Sequence, residues 1–67
     1  MNNSVIAKNI KKYRKKLNVS QDRLSKIADV TYNTIIKIET GLIRNPKIET
    51  VLKIADAFKV SLDELTK

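Results

Sequence analysis

Apolar residues recur along this chain at spacings of three and four, and the pattern breaks four times. At roughly 100° per residue, such spacing sets side chains on one face of a helix. The first stripe, Ile6, Ile10, Tyr13 and Leu17, predicts a helix from about Ser4 to Leu17. Lys8, Lys11, Lys12, Lys15 and Lys16 fall on its opposite side and read as a solvated outer face, with general attraction to DNA as the functional alternative and no place among the expected contacts. Asn18, a residue tolerant of left-handed backbone, stands where that helix must stop. Two shorter helices follow, joined by a tight turn, over about residues 20–39. Ser20 and Thr31 offer hydroxyls to cap their free N–H groups, and Leu24 with Ala28, then Ile35 with Ile38, form their inner faces. Gly41 then occupies a C-terminal cap position, and Pro46 precedes a fourth helix at about Ile48–Phe58 with a stripe of Ile48, Val51, Leu52, Ala55 and Phe58. A last short helix opens at Ser61, where Ser61 and Glu64 form a capping-box pattern and Leu62 and Leu65 are the apolar anchors. Five short helices in this order predict an all-α, compact globule rather than a long bundle.

Composition narrows the class. Sixty-seven residues make one small domain, expected over residues 1–67, whose core has little to spare. A single Gly and a single Pro leave few sharp turns, which argues against a many-stranded sheet. The start, Met1 to Val5, has no apolar run long enough for a signal peptide or a membrane span, and there is no Cys. A cytoplasmic protein without a membrane partner is the expectation. With neither His nor Cys, the usual general base, thiol nucleophile and metal ligands are missing, and the acidic residues are scattered. No enzyme activity, catalytic residue, metal, cofactor or small-molecule ligand is expected.

The formal net charge is +7, unevenly placed: residues 1–34 carry eight Lys/Arg against two Asp, and residues 35–67 six against five. Such a balance draws polyanions, with nucleic acid as the natural partner and an anionic membrane surface as the alternative. It gains meaning from the outer face of the third helix, which carries Tyr32, Asn33, Ile36 and Lys37. Donors, acceptors and methyl groups are mixed there as a helix lying in a DNA major groove requires. Ile36 either touches a thymine methyl or backs the Lys37 stem.

Arg14, Ser20-Gln21-x-x-Leu24, Ala28, Val30-Thr31, Ile35, Ile38-Glu39-x-Gly41, Asn45-Pro46, Leu52-x-x-Ala55 and Val60-Ser61-Leu62-Asp63-Glu64-Leu65 occur in an order that resembles the phage-repressor/Cro-like (Xre family) helix-turn-helix domains. The likeness spans nearly the whole chain. It implies a five-helix lambda-repressor-like fold, a partner of double-stranded DNA, and a homodimer on a palindromic operator with the third helix in the major groove. Carried over position by position, it places Thr31, Tyr32, Asn33 and Lys37 at base edges. It places Gln21, Thr34, Thr40, Arg44, Asn45 and Lys47 against phosphates. Arg14 and Glu39, which alone would read as solvated charges, become a structural ion pair.

Three positions depart from the family pattern. Ser25 stands where a small apolar residue is usual, and its hydroxyl is expected to bond back to the carbonyl of Gln21. Asp29 stands where the turn usually has a left-handed Gly, and Lys47 where a capping Ser or Thr is common. Phe58, Val60, Leu62 and Leu65 are more apolar residues than one short helix is expected to bury in its own domain, which suggests a dimer interface there. A transcriptional repressor is the function these features suggest. The alternative is a protein-interaction module, or the antitoxin of a toxin pair, built on the same fold. Steep weakening of DNA binding with salt separates the two.

Overall fold

The computed structural model describes residues 4–67; residues 1–3, which the single-domain expectation includes, lie outside the described residues. Five helices follow one another: α1 Ser4–Lys16, α2 Gln21–Ala28, α3 Tyr32–Glu39, α4 Ile48–Phe58 and α5 Leu62–Thr66. α2 packs on α3 and α4, while α1 lies across α3 and α5. Ile10, Leu24, Ile35, Ile38, Ile54 and Leu65, drawn from all five helices, are fully buried where these elements meet. Each contributes about 1.5–3 kcal/mol of apolar burial, which is what holds helices too short to be stable alone.

Three of the four connections are one device repeated. α1, α2 and α4 each end on a non-glycine residue in left-handed backbone, Asn18 (φ 57°), Asp29 (φ 59°) and Lys59 (φ 60°). A valine follows each, and its N–H reaches back to the carbonyl near the end of the helix: Val19 to Arg14 (2.9 Å), Val30 to Ser25 (3.0 Å) and Val60 to Ala55 (3.0 Å). All three valines pack against the core, the hydrophobic contact that accompanies such a cap. The residue after each valine is the hydroxyl N-cap of the next helix, Ser20, Thr31 or Ser61. One tripeptide therefore stops a helix, anchors the turn and starts the next helix. The fourth connection uses Gly41 (φ 84°) instead, and Lys47 caps α4 with no side-chain hydrogen bond.

Several expectations are corrected. Leu17 lies beyond the end of α1 and is 51% exposed, and Val19 packs in its place. The inner stripe of α4 is Val51, Ile54, Ala55 and Phe58. Ile48 and Leu52 are rotated off it and exposed. Ala7 joins the buried face of α1. Ser25 is buried as a close α2–α3 approach requires, but its hydroxyl donates to the carbonyl of Asp22 (2.6 Å), one residue nearer than Gln21. Phe58 and Leu65 are not free for a partner: Phe58 stacks against Tyr13 with ring centroids 5.7 Å apart, and Leu65 has no exposed surface. The Asn9 side-chain amide also ties α5 down by donating to the Leu65 carbonyl (2.8 Å). Val60 and Leu62 are half-buried.

The cap of α5 is reciprocal. The Ser61 N–H donates to Glu64 Oε1 (2.9 Å), and the Glu64 N–H donates to Ser61 Oγ (3.0 Å). The hydrogen bond from the Ser61 backbone, and then that with its side chain, hold the Glu64 carboxyl below its ordinary value. A carboxyl lowered in the folded state stabilises that state above its unfolded pKa, and the contribution fades as pH falls through the folded one. Acid titration followed by NMR is therefore expected to show Glu64 protonating below the ordinary glutamate range, with the amides of residues 61–66 losing exchange protection in step. A Glu64 that titrates at the ordinary value would show the cap to be open in solution.

Candidate nucleic-acid interface

α2 and α3 present their N-termini and one shared outer surface to solvent. Each starts on a working cap: Ser20 Oγ accepts the Arg23 N–H (3.0 Å), and Thr31 Oγ1 accepts the Thr34 N–H (3.3 Å). The Thr31 and Thr34 hydroxyls also bond to each other (2.7 Å). Those two hydroxyls are committed to shaping the start of α3, which leaves the Thr31 methyl as the part free for a base edge.

The inner face of α3 is closed, with Ile35 and Ile38 buried. Its outer face is open: Asn33 and Lys37 are exposed and Tyr32 is 46% exposed. Ile36 is half-buried beside them, so its methyls sit at the edge of that face. Beyond α3, Thr40, Arg44, Asn45 and Lys47 are exposed along one loop, with Thr40 Oγ1 donating to the Lys37 carbonyl (3.3 Å). Of the polar positions expected at base edges and along phosphates, all but Thr31, the cap before α3, and Gln21, on α2, thus lie on α3 and on the loop after it.

Behind this surface, Arg14 and Glu39 do meet. Arg14 Nε donates to Glu39 Oε2 (2.9 Å) and Nη2 to Oε1 (3.2 Å), a two-pronged pair whose carboxylate is 2% exposed. Arg14 Nη1 also donates to the Val19 carbonyl (3.2 Å), which fixes the corner before α2. A third partner went unforeseen. Gln21 Nε2 donates to Glu39 Oε1 (2.9 Å), so the side chain expected at a phosphate is turned inward onto the ion pair. Glu39 therefore fastens α1, the start of α2 and the end of α3 at one point. Nothing in the local sequence marks Gln21 for this, because the contact crosses two helices. Among the described residues, no cluster of three or more His, Cys, Asp or Glu is placed to hold a metal, and no helix is long and apolar enough to cross a membrane.

A family model described as helix-turn-helix matches residues 10–65, from the buried Ile10 to the buried Leu65. The chain belongs to the Xre-like, Cro/C1-type helix-turn-helix family. No curated protein and no solved structure matches it significantly. Membership of this Xre-like family supports a DNA-binding regulator of transcription, and the family is typically without enzymatic activity. Between α2 and α3, Asp29 takes left-handed backbone with φ 59° at the turn.

Proposed function

We propose that the chain is a cytoplasmic, sequence-specific repressor of transcription that binds a palindromic operator in double-stranded DNA as a two-fold dimer. The observation that carries this reading is α3, whose apolar side is buried and whose opposite side offers Tyr32, Asn33 and Lys37 to solvent. In the major groove, Asn33 pairs with an adenine edge and Lys37 reaches guanine O6/N7, while the Tyr32 ring meets a thymine methyl or sugar. The α2 N-terminus, with its free N–H groups, faces a phosphate at Gln21. Thr40, Arg44, Asn45 and Lys47 follow the backbone and set the register. Occupancy alone represses, by excluding other proteins from the site.

One such domain covers a single half-site, too little contact for tight and selective binding. With Phe58 and Leu65 in the protomer's core, the interface falls to Val60 in the corner before α5 and Leu62 at its start. In a dimer suited to a palindrome the two α3 helices lie about 34–36 Å apart, entering successive major grooves.

Selection from a randomised duplex library is expected to yield a palindrome whose halves fill cooperatively. Asn33→Ala or Lys37→Ala then costs about 1–3 kcal/mol on that duplex and relaxes the preference at one base pair. Equal losses on every sequence would reduce both residues to phosphate contacts. Failure to enrich any sequence would overturn the proposal.

A further inference from the structure

The lysines of α1 take part in none of these contacts. Lys8, Lys11, Lys12 and Lys15 form one wall of an open groove of about 610 Å³, and Thr40 and Gly41, just past α3, stand on the other. All four side chains are exposed, and only Lys12 has an aromatic neighbour, 5.5 Å from the Tyr13 ring centroid. The ion pairs among the described residues are Arg14–Glu39, Lys26–Asp22, Lys53–Asp29 and Lys67–Asp63, so no carboxylate answers the four ammonium groups. Glu39, the one acid in the groove, is already neutralised by Arg14 and bonded by Gln21. Lys8 with Lys12, and Lys11 with Lys15, are like charges one helical turn apart, an arrangement that opposes α1. A bound polyanion would relieve that repulsion.

Thr40 lines this groove and also belongs to the loop assigned to the DNA backbone, so the two surfaces are continuous. We propose that the groove holds the phosphate backbone of the same duplex, at phosphates beyond those met by α3 and the α3–α4 loop. The inference rests on the DNA-binding reading and extends its footprint onto α1. Lysine suits the task, because a flexible point charge neutralises phosphates without demanding a fixed geometry. Its contribution is the same for every sequence: it raises affinity and leaves base preference alone.

The test compares the wild type with a groove variant, K8Q/K11Q/K12Q/K15Q, and with a charge-matched control, K26Q/K53Q/K59Q/K67Q, on the library-selected duplex and on a scrambled duplex. Gln keeps nearly the helix propensity of Lys, and circular dichroism melting checks the fold. The half-variant K11Q/K15Q is measured alongside, and about half the effect is expected from it. Each lost phosphate contact flattens the plot of log affinity against log salt by about 0.9, so with two to four contacts in each protomer of the dimer the groove variant should be shallower than the wild type by about four to seven. Its ratio of selected to scrambled binding should be unchanged, and the control should stay within about one of the wild type. Equal slopes for wild type and groove variant, or an equal flattening in the control, would overturn the groove while leaving sequence-specific binding intact. A flattened slope in the groove variant, with a wild type that shows no preference between duplexes, would sustain the groove and overturn the specific reading. No binding to either duplex at low salt would overturn both.

Discussion

Arg14→Ala is expected to lower the melting temperature of the DNA-free protein by more than about 10 °C, although Arg14 lies outside the hydrophobic core. Removing it strands a carboxylate that is 2% exposed, with Gln21 as its one remaining donor and the Val19 carbonyl released. Breaking a buried pair from one side costs about 3–5 kcal/mol, and the lower end applies because Arg14 keeps 17% exposure. Replacing both partners by apolar residues, Arg14→Met with Glu39→Leu, should recover part of that loss, since the buried charge leaves with its partner. Thermal melts of the two variants decide the matter. An Arg14→Ala protein as stable as the parent would show that the pair does not hold the three helices together.

Leu65→Ala should have an effect of similar size. Leu65 is fully buried, and α5 has five residues with which to hold itself to α1 and α4. Emptying such a site costs about 2–5 kcal/mol, a large share of the stability of a domain this small. Denaturant unfolding at two protein concentrations gives a second result. A core residue destabilises the protomer equally at both, whereas an interface residue would make the loss depend on concentration. A concentration-dependent loss would return Leu65 to the dimer interface, against its burial in the single chain.

Most of the architecture was legible because helix periodicity and caps are local. The hydroxyl caps at Ser20, Thr31 and Ser61 and the left-handed Asn18, Asp29 and Gly41 stand where the sequence places them. Lys59 was missed, because a lysine carries no local signal for positive φ. Its signal was the repeated pattern: Lys59-Val60-Ser61 copies Asn18-Val19-Ser20 and Asp29-Val30-Thr31. Errors in the core lay at the margins of stripes. Ile48 and Leu52 have helical spacing and apolar side chains, but which side of α4 meets α2 is decided by packing between helices distant in sequence. Phe58 and Leu65 went to the wrong surface for the same reason, since counting apolar residues near α5 does not reveal how deep a pocket α1 supplies. At the candidate site, the exposed face of α3 followed from periodicity. The inward turn of Gln21 did not, because it depends on where Glu39 ends up in space.

The outer face of α3 differs from its surroundings in one respect. Among the described residues, Thr31, Thr34, Thr40 and Gln21 all spend side-chain hydrogen bonds on the fold, whereas Tyr32, Asn33 and Lys37 spend none. Selection therefore meets two kinds of position on one surface. Tyr32, Asn33 and Lys37 can change one at a time, each new side chain tried against a new target sequence with the scaffold unharmed. Gln21 and Glu39 can change only together or with Arg14. Lineages descended from such a protein would diverge in what they recognise long before they diverge in shape.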